Sequence, residues 1–503
     1  MALTIESAKK ITDKLRTNFR NGRTLSYHYR YNQLDCLLKL IQENNDKICQ
    51  ALYTDLNKPS FESALCEVDL LKKEIIETKR NLHEWMQPVA AERDLSTVVN
   101  QLELRRDPLG LTLILGAWNY PVALTLGPLI GSIAGGNVTF CKPSEAAKAS
   151  SDLLCQLISK YLDPETTVCY AMQPGHTPKL MKEIDFEHVF FTGGTAVGKI
   201  IMKDAARNLA KCTLELGGKN PVYVEDGADV KYACKRMMAA KSLNAGQICL
   251  DVDYILCSKN MQEKLIQGFK DELNKIYPKG QIGSSDYCKL IHKGHFDKMC
   301  DWMAKMPANK LAIGGKTDKK GHLLETTVYK DVSETDVTMD EEIFGPILSI
   351  LPVANNIDEA IKFVNKRDKP LVSYIFSNNP KSQERFLIET SSGGACVNDM
   401  LMHYCCDSLP FGGVGASGMG SYHGKYSFEC FTHLKGVYKQ SAIGKMAMDL
   451  VSPPYSNLNQ KILGALFLGP PFDYKNSLKF FAKVFNIGVY VACAVLFYEK
   501  YYK

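Results

Sequence analysis

The chain has 503 residues, enough for more than one domain at roughly 100–200 residues each, so it can bury a large hydrophobic core. Charged residues make up 23% and the AVILMFWYC group 45%, and 36 glycines and 21 prolines are spread along the chain, which excludes disordered and collagen-like proteins. The 61 Lys and Arg against 55 Asp and Glu give a net charge of +6 without a basic block, so we expect no nucleic-acid partner.

The cysteines indicate a reducing compartment. There are 17 of them, an odd number, and no two stand at C-x-x-C spacing. The N-terminus MALTIESAKK lacks the apolar core of a signal peptide. These features favour reduced cytosolic thiols over a disulfide framework or a zinc site, so we expect no metal, and at least one thiol is available for chemistry.

The first half of the chain begins with helices and continues as an α/β pattern. Apolar residues recur at helical spacing through most of residues 4–90, and the alternating segment TVVNQLEL at 97–104 predicts an exposed strand. From Leu111 onwards, short apolar runs alternate with helix-length segments. These runs lie at 111–116, 137–141, 166–171, 188–191 and 211–216. The alternation predicts repeated βα units and a parallel sheet in a dinucleotide-binding type of domain.

A second series of strand candidates follows Pro221. They lie at 221–225, 254–258, 348–353, 371–377 and 395–399, again separated by helical stretches. This series predicts a second α/β domain. No period of 20–50 residues and no low-complexity tract occurs, which excludes a solenoid.

The C-terminus has a different composition. Apolar residues four positions apart in 457–468 predict a short helix that ends before Pro470. Residues 484–498 carry no charge and have lysines on both sides. Fifteen residues are fewer than the ~20 that span a bilayer core, but from residue 478 onwards, with lysines reaching the interface, the segment can cross or lie in a membrane. We expect a membrane anchor at 478–498, with a soluble packing helix as the alternative.

Two glycine patterns suggest nucleotide binding. GGTAVGKI at 193–200 nearly forms a phosphate-binding P-loop, but Ile200 stands where Ser or Thr would hold magnesium, which argues against nucleotide hydrolysis. As a strand–turn–helix it still suits a cofactor phosphate or the nicotinamide end of a cofactor. Gly413, Gly415 and Gly418 match G-x-G-x-x-G by spacing, but no βαβ unit follows them, so they predict a tight loop.

Three residues are candidates for chemistry by position. Cys249 lies in a short segment of small and polar residues, where it could be exposed at a turn. Glu215 ends a predicted strand before two glycines, and Asn119 follows the strand at 111–116 with an amide suited to an oxyanion. Each is equally compatible, taken alone, with an ordinary surface or turn residue.

Seven phrases in order connect these candidates. They are GAWNYP, CKPSE, FTGGTAVGK, LELGGKNP, NAGQIC, EEIFGP and LPFGGVGASGMGSYHGKYSF. Together they resemble the aldehyde dehydrogenase superfamily, and they are most similar to its class 3 branch, which contains the fatty aldehyde dehydrogenases. The resemblance runs from about residue 5 to 440. One departure is Ala416, where relatives commonly carry Asn, and it affects none of the catalytic positions.

The resemblance implies three catalytic residues. Cys249 of NAGQIC would be the nucleophile, and Glu215 of LELGGK, 34 residues earlier, the general base. Asn119 of GAWNYP, with the main-chain N–H of Cys249, would donate to the oxyanion. A thiolate adds readily to an aldehyde and leaves a thioester, and a carboxylate can activate the water that hydrolyses it.

The resemblance also implies the cofactor contacts. Lys142 and Glu145 would contact the adenosine ribose, and Glu342 and Phe344 the nicotinamide ribose, although Phe344 could instead be a core residue. The glycine turn after the fourth strand would consist of Gly193, Gly194, Thr195, Ala196, Val197 and Gly198. A glutamate near the ribose favours NAD, and NADP stays open because class 3 enzymes can use either.

The implied architecture is an α/β fold with a Rossmann-like cofactor domain, an α/β catalytic domain and a β bridging element, followed by an apolar C-terminal helix. The corresponding ranges are 1–96 with 109–217, 218–427, 97–108 with 428–440, a gatekeeper-like helix at 455–470, and the anchor at 478–498. A homodimer tethered to the endoplasmic reticulum, with its catalytic domain in the cytosol, would be typical of such members.

The resemblance implies NAD(P)-dependent oxidation of medium- to long-chain aliphatic aldehydes to acids. Two alternatives stay open: detoxification of short-chain or aromatic aldehydes, and a non-catalytic, membrane-tethered structural protein of the same fold. The presence of Cys249, Glu215 and Asn119 favours an enzyme.

Overall fold

A computed structural model of the chain describes residues 3–94, 96–173 and 175–468, so the predicted anchor at 478–498 lies outside the described residues. The chain divides into two compact units. The first comprises residues up to 87 together with 106–434, and the second comprises 88–105 together with the residues from 435 onwards. The finer domain limits given above stay predictions.

Helices and strands alternate over most of the described chain. The helices are α1 (Ile5–Arg20), α2 (Tyr27–Glu43), α3 (Asn45–Leu56), α4 (Ser60–Ser63), α5 (Leu70–Trp85), α6 (Ala123–Gly135), α7 (Lys148–Tyr161), α8 (His176–Glu183), α9 (Thr195–Ala205), α10 (Val230–Ser242), α11 (Lys259–Ile276), α12 (Lys293–Lys305), α13 (Ile357–Asn365), α14 (Pro380–Glu389), α15 (Lys425–Cys430), α16 (Ala442–Ala447) and α17 (Asn457–Leu468). The strands are β1 (Val89–Ala90), β2 (Gln101–Pro108), β3 (Leu111–Leu115), β4 (Val138–Lys142), β5 (Thr167–Cys169), β6 (His188–Gly193), β7 (Lys211–Leu216), β8 (Pro221–Val224), β9 (Tyr254–Leu256), β10 (Leu311–Ile313), β11 (Thr317–Asp318), β12 (Leu323–Leu324), β13 (Thr327–Tyr329), β14 (Ile347–Leu351), β15 (Val372–Phe376), β16 (Gly394–Val397), β17 (Gly418–Met419) and β18 (Thr432–Lys439). The two predicted series of α/β units are confirmed.

The first unit contains a six-stranded sheet in the order β17-β7-β6-β3-β4-β5. Its strands pair in parallel except for β17, which is antiparallel to β7. Every residue of β3 and β4 is buried, as expected for a parallel sheet with both faces covered. Helix α6 is also buried along its whole length, which its apolar sequence allows.

The same unit contains a seven-stranded sheet in the order β10-β13-β14-β9-β8-β15-β16. Only β10 is antiparallel to its neighbour in this sheet. Its central strands β14 and β15 are buried throughout, which explains why they read as continuous apolar runs in the sequence.

The strand predicted at 97–104 begins later than expected. Strand β2 starts at Gln101 and lies between β1 and β18 in a three-stranded sheet. Residues before it form a turn, because the Asp94 carboxylate accepts hydrogen bonds from the main-chain N–H and the hydroxyl of Thr97, at 3.0 and 2.8 Å. Such side-chain turns compete with strand pairing, and the alternating pattern alone could not reveal this one.

Two smaller predictions concern the C-terminal part. The helix predicted at 457–468 is present as α17, and the late glycines form the predicted tight loop, in which Gly415 pairs with Gly418. A Cβ atom at Gly413 would stand 2.0 Å from the Ser417 carbonyl oxygen, so this loop requires glycine there. Within the described ranges, no helix combines the length and the apolarity needed to cross a membrane.

Candidate active site

A cavity of about 580 Å³ lies in the first unit, at the carboxyl ends of β3, β4, β6 and β7. Parallel strands present their carboxyl ends at one edge of a sheet, so residues that follow different strands converge there. Ten of the predicted site residues line this cavity: Asn119, Lys142, Glu145, Gly193, Gly194, Val197, Glu215, Cys249, Glu342 and Phe344. Thr195, Ala196 and Gly198 belong to the adjoining start of α9 but do not line it.

Cys249 is half-buried and faces the cavity rather than being exposed at the surface. Its segment follows a short turn in which Asn244 and Ala245 adopt left-handed backbone angles, with φ of 48° and 50°. The Asn220 amide donates to the Cys249 carbonyl at 2.7 Å. Burial, together with the carboxyl groups of Glu342 and Glu215, raises the pKa of the Cys249 thiol, so the thiol is neutral at physiological pH.

Glu215 lies in strand β7 and lines the cavity. The residue is only 4% exposed, and neither carboxyl oxygen accepts a hydrogen bond from the described residues. Burial raises the pKa of this carboxyl group well above its usual value. A carboxyl group in such a setting can take up a proton near neutral pH, which is what a general base requires.

Asn119 follows β3 and is held on two sides. Its side-chain amide donates to the Gln247 carbonyl at 3.1 Å. Its own main-chain carbonyl accepts from the Asn244 amide at 2.8 Å and from the Lys58 ammonium at 3.0 Å. The amide is therefore fixed beside the segment that carries Cys249.

The turn between β6 and α9 has the form of an anion-binding helix start. Gly194 precedes the helix, which has no side-chain cap among the described residues, so its first N–H groups are available. A Cβ atom at Gly193 would stand 2.5 Å from the Phe191 ring, and one at Gly198 would stand 2.5 Å from the Leu216 side chain. A side chain at either position would therefore have to displace the Phe191 ring or the Leu216 side chain.

Two carboxylates flank the ends of the cavity. The buried Lys142 ammonium donates to Glu145 at 2.6 Å. The Glu342 carboxyl group packs against Gly217, where a Cβ atom would stand 1.9 Å from its oxygen. Burial raises the pKa of Glu342 to about 8, although a hydrogen bond from the Gly218 N–H acts in the opposite direction.

Phe344 occupies a strained backbone position at the cavity wall. Its φ is +54°, a left-handed value that an aromatic residue rarely adopts. Its ring stands edge-on to Trp118, with 5.2 Å between the ring centroids. The neighbouring His295 ring also shares a hydrogen bond with the Phe344 carbonyl, at 2.8 Å, so this conformation is supported from outside the cavity.

Several residues that hold the site were not predicted from the sequence. Asn220 and Gln247 lie inside the quoted phrases, so their position was a usable signal. Lys58 and Glu67 form an ion pair with a separation of 2.6 Å between Nζ and Oε1, and both side chains are fully buried. No local pattern marks this pair, because Lys58 lies in a short loop after α3 and Glu67 in the helical turns at Ala64–Asp69, nine positions later.

The arrangement fits a dinucleotide. The cavity combines an uncapped helix start, space beside Gly194 and the carboxyl groups of Glu145 and Glu342 in its lining. A cysteine thiol, Cys249, and the Glu215 carboxyl group, which accepts no hydrogen bond from the described part of the chain, lie in the same cavity. These are the parts that oxidation of a carbonyl compound through a covalent intermediate requires.

Comparisons with known proteins agree with this geometry. The family model "Aldehyde dehydrogenase family" matches residues 2–437. The chain is 40% identical to aldehyde dehydrogenase family 3 member B1 of Rattus norvegicus, over 91% of this chain and 97% of that protein. It is 39% identical to family 3 member A2 of Pongo abelii, over 97% of this chain and 99% of that protein.

Solved structures show the same fold. The substrate-bound state of Staphylococcus aureus AldH superposes with a TM-score of 0.88 at 35% identity, covering 92% of this chain and 99% of that one. The NADP complex of glyceraldehyde-3-phosphate dehydrogenase GapN from Methanocaldococcus jannaschii superposes with a TM-score of 0.77 at 26% identity, covering 87% and 95%. The chain therefore belongs to the aldehyde dehydrogenase family, whose enzymes oxidise aldehydes with NAD or NADP.

Proposed function

We propose that this enzyme oxidises medium- to long-chain aliphatic aldehydes to carboxylic acids and that Cys249 is its nucleophile. The proposal rests on one observation: Cys249, Glu215 and Asn119 line the same cavity. Short-chain or aromatic aldehydes are the alternative substrates. A bound nicotinamide supplies the hydride acceptor.

Cys249 attacks the aldehyde carbon as the thiolate. Its thiol must first lose a proton, and burial makes this loss costly. Glu215 and Glu342 are the carboxyl groups that act on this thiol, and either can take the proton. Addition forms a C–S bond and places the negative charge on the former carbonyl oxygen.

Asn119 and Glu215 act at different steps. The Asn119 amide, with the main-chain N–H of Cys249, donates to the oxyanion. Reformation of the C=O bond expels hydride and leaves a thioester on Cys249. Glu215 then takes a proton from a water molecule, whose oxygen attacks the thioester. The C–S bond breaks, the acid is released, and Cys249 leaves as the thiolate, which can take the proton back from Glu215.

The cofactor is held by residues from both sheets of the first unit. Lys142 and Glu145 would contact the adenosine ribose, the start of α9 would bind phosphate, and Glu342 with Phe344 would hold the nicotinamide ribose. The Glu145 charge repels a 2′-phosphate and favours NAD. Its 2.6 Å ion pair with Lys142 offsets part of that charge, which leaves room for NADP.

The substrate class is inferred from the C-terminal sequence. An uncharged stretch at 484–498 follows helix α17, whose sequence NLNQKILGALFL is largely apolar. Long-chain aldehydes partition into bilayers, so an enzyme anchored at 478–498 would meet them at the membrane surface. We include in this proposal a homodimer on the endoplasmic reticulum with its catalytic unit in the cytosol.

The test is NADH formation with hexadecanal and with the short-chain aldehyde propanal, by the wild-type chain and by Cys249→Ala. We expect turnover of hexadecanal and a loss of kcat by a factor on the order of 10³ or more in the variant. Cys36→Ala is the matched control, because Cys36 is also half-buried but lies in α2 outside the cavity. Turnover of propanal alone would overturn the substrate class, and no turnover with NAD or NADP would favour the non-catalytic alternative.

Membrane attachment has a separate test in the full-length chain. Val489→Arg with Val491→Arg places two charges in the uncharged stretch, at a cost of about 2.5–3.5 kcal/mol each near a bilayer centre. We expect the wild type to float with phosphatidylcholine vesicles and the variant to stay at the bottom of the gradient. Val353→Arg is the control, because that valine is 43% exposed in the first unit. Equal flotation of both variants would contradict the anchor.

A further inference from the structure

A fully buried lysine lies directly behind Asn119. The Lys58 side chain is 0% exposed, and its ammonium donates to the Asn119 carbonyl at 3.0 Å and to Glu67 at 2.6 Å. The same ammonium stands 3.8 Å from the centroid of the Tyr120 ring. A cation is costly to bury, so a buried lysine is retained where its charge and donors are used.

Glu67 ties this lysine to the start of α6. Its second carboxyl oxygen accepts from the main-chain N–H groups of Val122 and Ala123, at 2.9 and 3.2 Å. Ala123 is the first residue of α6, so the carboxylate also satisfies donors that the helix start leaves free. Through Glu67, Lys58 is therefore held at the start of α6, the helix that follows Asn119 in the chain.

On the other side, the Asn119 loop is joined to the loop that carries the nucleophile. The Asn244 amide donates both to the Asn119 carbonyl at 2.8 Å and to the Gln247 carbonyl at 3.1 Å. Glu62 accepts from the Asn244 main-chain N–H at 2.8 Å, which fixes this left-handed residue. The Asn119 side chain completes the ring by donating to the same Gln247 carbonyl.

We propose that Lys58 is a positioning residue for the oxyanion donor, acting through the main-chain carbonyl of Asn119. This proposal rests on the proposed role of Asn119. The carbonyl has two lone pairs, and Lys58 and Asn244 use both, which fixes the orientation of the peptide group. One N–H of the Asn119 amide goes to Gln247, which leaves the second N–H for the cavity that Asn119 lines.

Removing the pair as a unit tests this role with the least damage to folding. Lys58→Met alone leaves the Glu67 charge buried and unpaired, whereas Lys58→Met with Glu67→Gln leaves no charge at these two positions and keeps an acceptor for the α6 start. Lys310→Met with Asp336→Asn is the matched control. That ion pair has a separation of 2.5 Å, its side chains are 19% and 12% exposed, and neither residue lines the cavity.

The measurement is the rate of NADH formation in the first turnover, made with the full-length chain in wild-type and Asn119→Ala backgrounds. We expect the Lys58/Glu67 variant to slow it about 10- to 100-fold, because a misplaced donor forfeits much of an oxyanion contact. In the Asn119→Ala background we expect less than about a twofold further loss, since the positioned group is already absent. NADH affinity and the control variant's rate should stay unchanged.

The outcomes separate this proposal from the one it rests on. Equal losses in both backgrounds would show a general structural role and overturn the positioning role of Lys58. An Asn119→Ala variant with the wild-type rate would overturn the role of Asn119, and the role of Lys58 with it, whereas an active Cys249→Ala variant would overturn the proposed function. If the double variant fails to bind NADH, Glu67→Gln alone provides the same comparison, with an expected loss of about three- to tenfold that Asn119→Ala again abolishes.

Discussion

The Cys249 thiol titrates under the influence of two neighbouring carboxyl groups. Burial is the largest cause of its raised pKa, followed by Glu342 and then Glu215. Replacing either carboxyl group with an amide removes a negative neighbour, so the thiol should ionise at lower pH. We expect Glu342→Gln to shift the pH profile of Cys249 alkylation by iodoacetamide further towards low pH than Glu215→Gln does.

The measurement follows the Cys249 peptide by mass spectrometry between pH 7 and 10, because the other 16 cysteines would mask it in a total thiol assay. Glu341→Gln is the control, since Glu341 is the neighbour of Glu342 in the sequence but 59% exposed and paired with Lys298 at 3.1 Å. Identical profiles for all variants would mean that the two carboxyl groups do not face the thiol.

Which site residues could be predicted depended on their place in the sequence. Asn119, Glu215 and Cys249 stand in compact phrases. Asn119 and Cys249 follow a strand and a turn, and Glu215 lies near the end of strand β7, so the chemistry of single residues pointed to them. Lys58 meets Asn119 across 61 positions and belongs to no phrase. Its role depends on burial, which only the packed structure shows, since an isolated lysine is ordinarily a surface residue.

At the scale of elements, a buried carboxyl group joins helices α5 and α15. Glu74 of α5 accepts hydrogen bonds from the Ser427 hydroxyl at 2.9 Å and the Gly424 N–H at 3.3 Å. Burial raises the pKa of Glu74 from 4.5 to about 7. The folded chain therefore holds a proton that the unfolded chain releases, so this group's contribution to stability is complete below pH 4.5 and is lost as pH rises to 7.

We expect Glu74→Gln to remove this loss, because glutamine stays neutral and keeps an acceptor oxygen. The free energy of unfolding of the variant, relative to wild type, should rise by up to about 3 kcal/mol between pH 5 and pH 8. Urea unfolding at both pH values measures it. Glu84→Gln in the same helix is the control, because Glu84 is exposed. A constant difference at both pH values would contradict the buried titration.

Strands were predictable where burial is complete and less so where side chains control the backbone. Strands β3, β4, β14 and β15 are buried at every position, so their apolar runs stood out in the sequence. The start of β2 was wrong by four residues because Asp94 and Thr97 form a turn. The widened helical turns at Ala64–Asp69 were not predicted either, since helical spacing does not distinguish them.

At the scale of the whole molecule, the proposed cofactor contacts come from both sheets of the first unit. The turn that begins at Gly193 comes at the end of β6, and Gly217 directly follows β7; both strands belong to the six-stranded sheet. Glu342 precedes β14 of the seven-stranded sheet. A ligand that binds only the folded chain stabilises every element it needs. Cofactor binding should therefore stabilise the two sheets together, a coupling that sequence motifs taken singly could not reveal.

We expect NAD⁺ at 100 times its dissociation constant to raise the free energy of unfolding by about 2.7 kcal/mol, seen as a higher melting temperature. Gly217→Ala should lose most of this gain, because a Cβ atom there would stand 1.9 Å from the Glu342 oxygen and displace the carboxyl group from the cavity. Gly436→Ala is the control, since a Cβ atom there meets nothing within 4 Å. An undiminished shift in Gly217→Ala would remove Glu342 from the proposed contacts, because its displacement would then cost no binding energy.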